Sequence, residues 1–172
     1  MKPAASEPRR RVNSDTDTSC AWEDHRGNAI PQGVLERLAE LAGISASSGG
    51  EPAAAIAVVL DELGCETRLE ATTAEFSVPV SHAAHELVVA AANTLLHGGE
   101  FSVTVYVTHL PCDVCVAALT GIGGERVVSA GGAEPACAAK QLTHTSLFGA
   151  PLALVDAAVG RAAKDYRIHK AS

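Results

Sequence analysis

Cys112 and Cys115, one helical turn apart in Pro111-Cys112-Asp113-Val114-Cys115, are the residues of this 172-residue chain best suited to chemistry. At a helix N-terminus, backbone N–H groups and the helix dipole favour thiolate over thiol. Zinc in a catalytic site takes three protein ligands and leaves a fourth position for water. His82, about one helix and one strand upstream, opens its own helix and can supply the third ligand. A redox-active CxxC pair and an isolated surface histidine are the plainer readings of the same residues.

Apolar periodicity outlines the elements that must position these groups. Phe101, Val103, Val105 and Val107 alternate with more polar residues and predict a strand running toward Pro111. Residues 82–97 read as a helix, with Ser81 as its N-cap and Gly98-Gly99 as its stop. Residues 113–122 read as a short helix ending at Gly123-Gly124, and 126–130 as a strand before Gly131-Gly132. Upstream, Val34, Leu35, Leu38, Leu41 and Ala42 form one stripe of a helix over 31–44, with Gly43 near its end. Residues 45–52 are a loop of small residues. The apolar run 54–60, the turn Asp61-Glu62-Leu63-Gly64 and the more polar run 65–72 suit a hairpin, although 54–63 also fits a helix. Residues 151–155 are expected to form a last strand and 155–166 a closing helix. Helices alternating with short strands imply an α/β, three-layer arrangement with a mixed sheet. Residues 1–30, rich in Ser, Thr, Pro, Asp and Arg, read as a flexible tail that Trp22 could dock, and 31–172 as one domain.

Composition narrows the function classes. Apolar residues make up 47% of the chain, enough for a core, with only 3% aromatic. A formal charge of −7 counts against a large phosphate-tracking surface. No apolar run is long enough to span a bilayer, and residues 1–11 lack the apolar centre of a signal peptide. Five cysteines, two of them in CxxC spacing, fit metal ligation in a reducing, cytoplasmic setting better than a disulfide framework.

The segment from Val80 to Asn93 and the strand, Pro-Cys-x-x-Cys and Gly-containing turn over 103–128 resemble the zinc-dependent cytidine/deoxycytidylate deaminase superfamily, closest to its deoxycytidylate deaminases. The resemblance covers roughly residues 78–130. It implies a three-layer α/β/α cytidine deaminase-like fold on a mixed five-stranded sheet, Zn2+ as cofactor, and His82, Cys112 and Cys115 as its ligands. The implied reaction is hydrolytic: a zinc-activated water attacks the amine-bearing carbon of a cytosine-type nucleotide or nucleoside, and ammonia leaves. The family frequently forms homo-oligomers, and a helix such as 34–42 with an exposed apolar face would suit that assembly.

The chain departs from the pattern at Ala84, where the family holds a glutamate that shuttles protons without binding zinc. A rival register puts Glu86 at the glutamate position but leaves Ala84 at the ligand position. Ala84 therefore marks either a substitution that silences an enzyme or a natural pseudoenzyme, and restoring glutamate is expected to raise deamination by orders of magnitude. Glu86, one turn beyond His82, is a candidate stand-in, although an ion pair at the edge of the core is the plainer role. His109, just before Pro111, is a candidate substrate contact. His85 is expected on an exposed helix face, Cys65 and Cys137 as small buried hydrophobes, and Arg126 in a salt bridge. The arginines at 9–11 are expected as a solvated cluster. The Asn- and Gly-rich substrate loop of deoxycytidylate deaminases is not recognisable over 70–81. Two further readings stand beside the nucleotide one: a base deaminase acting on tRNA or single-stranded DNA, which the acidic balance disfavours, and a non-catalytic pseudo-deaminase serving nucleotide sensing or assembly.

Overall fold

The computed structural model describes residues 22–24, 26–73, 82–95, 100–130 and 142–170, the side chains of 93–95 and 169–170 excepted. Ser81, Gly98, Gly99, Gly131, Gly132, Cys137 and the arginines at 9–11 lie outside the described residues. In chain order the elements are β1 (Trp22–Glu23), β2 (Ala29–Ile30), α1 (Val34–Ser47), β3 (Ala54–Asp61), β4 (Glu66–Thr72), α2 (Ala83–Leu95), β5 (Phe101–Val107), α3 (Asp113–Gly121), β6 (Gly124–Ser129), β7 (Thr143–Ser146) and α4 (Gly149–Lys170). The central sheet has five strands in the order β4-β3-β5-β6-β7. β3 runs antiparallel to both β4 and β5, whereas β5, β6 and β7 are mutually parallel.

Strand alternation splits the core into two layers. Ala54, Ile56 and Val58 of β3 face α1 and α4 together with Tyr106 and Val128. Ala55, Ala57 and Val59 face the opposite way, with Val103, Val105, Val107 and Val127, and meet Leu87 of α2 and Val116 and Leu119 of α3. The apolar stripe of α1 is buried in the first of these layers, so it is used within the chain and offers no surface to a second copy. That helix runs through Gly43 to Ser47, past the expected end.

Three expectations need correction. Residues 151–155 are not a strand but the first turns of α4, with Leu152, Val155, Val159 and Ala162 turned toward the core at helical spacing. Pro151 is tolerated because the first turn of a helix has no intrahelical acceptors for its N–H groups. The last strand is instead Thr143–Ser146, four polar residues whose pairing with β6 and burial beside it replace an apolar signal. Cys65 is exposed rather than buried, because it lies in the β3–β4 turn where its N–H donates to Asp61 Oδ1 at 2.7 Å.

Part of the expected tail is structured. Trp22–Glu23 pairs antiparallel with Ala29–Ile30, Ile30 is fully buried, and Trp22 packs against the α1/α4 layer. Between these two short strands, the buried Asp24 accepts hydrogen bonds from the N–H groups of Arg26 and Asn28, both 2.9 Å, and from the Asn28 side-chain amide. Burial raises its pKa, but these donors outweigh it and hold the carboxyl below its ordinary value. Arg126 points inward, 3.9 Å from Asp24 and 3.5 Å from the Tyr106 hydroxyl. Among the described residues, no helix is long and apolar enough to cross a membrane.

Candidate metal centre

Parallel pairing aligns the C-terminal ends of three strands: Val107 is level with Ser129, and Ser129 with Ser146. α3 starts just beyond the end of β5. α2 precedes β5 and runs the opposite way, so its start lies at the same edge of the sheet. Open α/β sheets bind ligands at this carboxyl edge.

His82 stands immediately before α2, where its carbonyl accepts the N–H groups of His85 (2.8 Å) and Glu86 (3.1 Å). Cys112 is the N-cap of α3, with extended backbone, and its carbonyl accepts the Val116 N–H at 2.9 Å. Gly123, at φ 80°, closes the far end of that helix, donating to Thr120 O at 3.0 Å. The two helix starts bring His82 Nδ1 to 3.4 Å from both sulfurs, and the sulfurs to 3.6 Å from each other. A disulfide would need about 2.05 Å. Tetrahedral zinc, with Zn–S of about 2.3 Å and Zn–N of about 2.0–2.1 Å, places its ligand atoms about 3.6–3.8 Å apart. The three atoms therefore have the spacing of a zinc ligand set, the donor types suit that ion, and no fourth His, Cys, Asp or Glu joins them among the described residues.

The two thiols differ. Burial alone would raise that of Cys112, but N–H groups at the start of α3 bring it below its ordinary value. Burial pushes the 2%-exposed Cys115 thiol up to about 12, and the neighbouring Cys112 adds to the effect. A dication reverses that balance, because it binds thiolate.

A cavity of about 180 Å³ adjoins the metal group, lined by Glu51, Thr73, His82, Ala83, Thr108 and His109 together with apolar side chains. Thr108 accepts the Ala54 N–H at 3.0 Å and lies 2.9 Å from His109 Nδ1, fixing that ring. His109 keeps solvent-accessible surface as a residue. Its imidazole is nonetheless crowded enough that desolvation lowers its pKa, against the pull of Glu51 and Asp156. A larger groove, about 440 Å³ between α1 and α4, lies on the other side of the sheet, away from this chemistry.

The structure thus gathers His82, Cys112, Cys115 and His109 at one edge. Ala84 is 4% exposed and packed among the apolar residues beneath α2, adjacent to Ala83 at the cavity wall. Glu86 is partly buried and does not line the cavity, and His85 is exposed. Sequence reasoning missed Glu51 and Thr73. The available signal was that Glu51 is the sole charged residue in the small-residue loop 45–52, just ahead of β3. Because β3 is antiparallel to β5, its start meets the metal end of β5.

Neither a protein-family model nor a curated protein matches the chain significantly. Solved structures do. A guanine deaminase from Nitrosomonas europaea is 20% identical, with a TM-score of 0.59, over 81% of this chain and 86% of that one. A mutant protein in complex with 8-azaguanine is 17% identical (TM-score 0.57; 78% and 82% covered), and a protein in complex with 2,6-diaminopurine is 16% identical (TM-score 0.54; 78% and 79%). The chain has the cytidine deaminase-like α/β fold.

Proposed function

We propose that this chain is a zinc-dependent hydrolytic deaminase of an amino-bearing nucleobase ring. The observation that carries the reading is the triad of His82 Nδ1, Cys112 Sγ and Cys115 Sγ, 3.4–3.6 Å apart, beside a cavity at the carboxyl edge of the sheet. His82, Cys112 and Cys115 hold the ion. Zinc there supplies Lewis acidity that makes a water acidic enough to react near neutrality. His109, oriented by Thr108, presents its imidazole to the ring, with desolvation disfavouring its charged form, and Val107 and Leu110 add apolar lining.

The cavity also bears on the substrate. No lysine or arginine lines it among the described residues, and Glu51 gives it a negative rim. Among the described residues a nucleotide phosphate finds no basic partner there, which favours a free base or nucleoside over the nucleotide first expected and over a base within a nucleic acid. Structures of similar fold include a guanine deaminase and complexes with 8-azaguanine and 2,6-diaminopurine, and on that ground we count aminopurines as candidates beside cytosine-type rings. Ala84 favours a second reading, a pseudo-deaminase that binds such a ring without converting it.

Metal analysis followed by ammonia release from guanine, adenine, cytosine and their nucleosides tests the proposal. Zinc-dependent ammonia from at least one ring, lost in His82→Ala, is the expected result. A zinc-loaded protein that binds a ring yet releases no ammonia, even as Ala84→Glu, would replace the enzyme reading with the pseudo-deaminase one.

A further inference from the structure

We propose that Glu51 supplies the acid–base carboxylate of this cavity, in place of the one that α2 lacks at position 84. The inference rests on the deaminase reading above. Hydrolysis of a ring amine needs a group that moves two protons, and α2 offers none in the cavity: position 84 is alanine and Glu86 lies outside the lining. Among the described residues, Glu51 is the carboxylate that lines it, together with His82 and His109. Its carboxylate makes no hydrogen bond or ion pair with any described residue, so it is available to a ligand.

The backbone beneath it is fixed. The Glu51 carbonyl accepts the Ser45 hydroxyl at 2.6 Å and the Ala53 N–H at 2.7 Å, and Gly50 donates to Ser45 O at 2.9 Å. Gly50 lies so close to the end of β4 that a Cβ there would fall 2.7 Å from Thr73 O. This contact brings the loop carrying Glu51 to the cavity and seats Thr73 beside it. Thr73 lines the cavity and is only 9% exposed; its Oγ1 is itself buried and has no hydrogen-bond partner among the described residues. The Glu51 carboxylate on this lining suits the edge of an uncharged heterocycle that carries ring nitrogens and an amine.

The reaction balances with water as the sole co-reactant. Water adds its oxygen to the carbon bearing the amine while Glu51 takes one proton and passes it to the adjacent ring nitrogen. Glu51 then takes the remaining hydroxyl proton and gives it to the amine. The C–N bond breaks with its electron pair on nitrogen and ammonia leaves. The ring keeps a carbonyl and a new N–H, and Glu51 ends as the carboxylate it began.

The test uses the zinc-loaded full chain and its Glu51→Gln, Glu86→Gln, Ala84→Glu and Glu51→Gln/Ala84→Glu variants. Ammonia release from the base panel gives kcat and KM, and calorimetry with xanthine and uracil reports ring binding independently of turnover. Glu51→Gln is expected to lower kcat by about 10²–10⁴. Zinc content should be unchanged and ring binding altered by less than about tenfold. Loss of zinc or ring binding along with kcat would reduce Glu51 to a structural role and overturn the proposal. So would full activity in Glu51→Gln with loss in Glu86→Gln, or activity that arises only on Ala84→Glu; these two outcomes leave the deaminase reading standing. Silence in every form, Ala84→Glu included, overturns both.

Discussion

Zinc affinity should rise steeply with pH, and the magnitude follows from the Cys115 thiol. That group is 2% exposed and pushed up to about 12, so the metal-free protein keeps its proton throughout the neutral range. Removing it at pH 7 costs roughly 7 kcal/mol, at about 1.36 kcal/mol per pKa unit. Zinc bound to thiolate and imidazole ligands yields about 10–16 kcal/mol in peptide sites at that pH, so the ion can displace the proton. The affinity should then increase about tenfold per pH unit for this proton between about pH 7 and pH 8.5. Cys112, whose thiol is held below its ordinary value, contributes less to this dependence than Cys115. Competition with a chelator across that range, together with proton release in a weakly buffered titration, measures both quantities. Cys115→Ser should flatten the dependence by about one proton as well as weaken binding. Affinity independent of pH in the unmodified chain, or zinc uptake without proton release, would refute the reasoning.

Two further outcomes concern the supports of the site. Gly50→Ala places a Cβ 2.7 Å from Thr73 O and 3.0 Å from Ser45 Oγ, and should lower stability by about 1–3 kcal/mol, read as a drop in Tm. Asp24→Ala strips acceptors from the Arg26 and Asn28 N–H groups and should destabilise the chain by about 1–3 kcal/mol at neutral pH. Because the folded Asp24 carboxyl lies below its unfolded value, its contribution is present above that value and fades as pH falls through the folded one. The difference in denaturant midpoint between this variant and the parent should therefore shrink in acid; a constant difference would contradict that.

Where local pattern and tertiary role agree, the fold was legible. Phe101, Val103, Val105 and Val107 alternate because one face of β5 meets α2 and α3, and the α1 stripe reads as helix because it is buried in one layer. β7 was illegible because Thr143–Ser146 is polar throughout and is defined by pairing with β6, a relation no local window contains. The run Pro151 to Val155 misled because a short apolar stretch looks alike in a strand and in the first turns of a helix. Residues 22–30 looked like tail because their order comes from Asp24, a polar residue whose partners are backbone N–H groups. At the site, His82, Cys112 and Cys115 could be read because ligand types at fixed spacing carry their own chemistry. Glu51 and Thr73 could not, because they reach the cavity through the antiparallel pairing of β3 with β4 and β5.

The most direct measurement is the metal content of the purified chain beside that of His82→Ala, Cys112→Ala and Cys65→Ser. The account predicts about one zinc per chain, retained in Cys65→Ser, whose thiol is exposed in the β3–β4 turn, and lost in the other two. A chain prepared with ample zinc that carries none, or that keeps its zinc when His82 and Cys112 are removed, would contradict it.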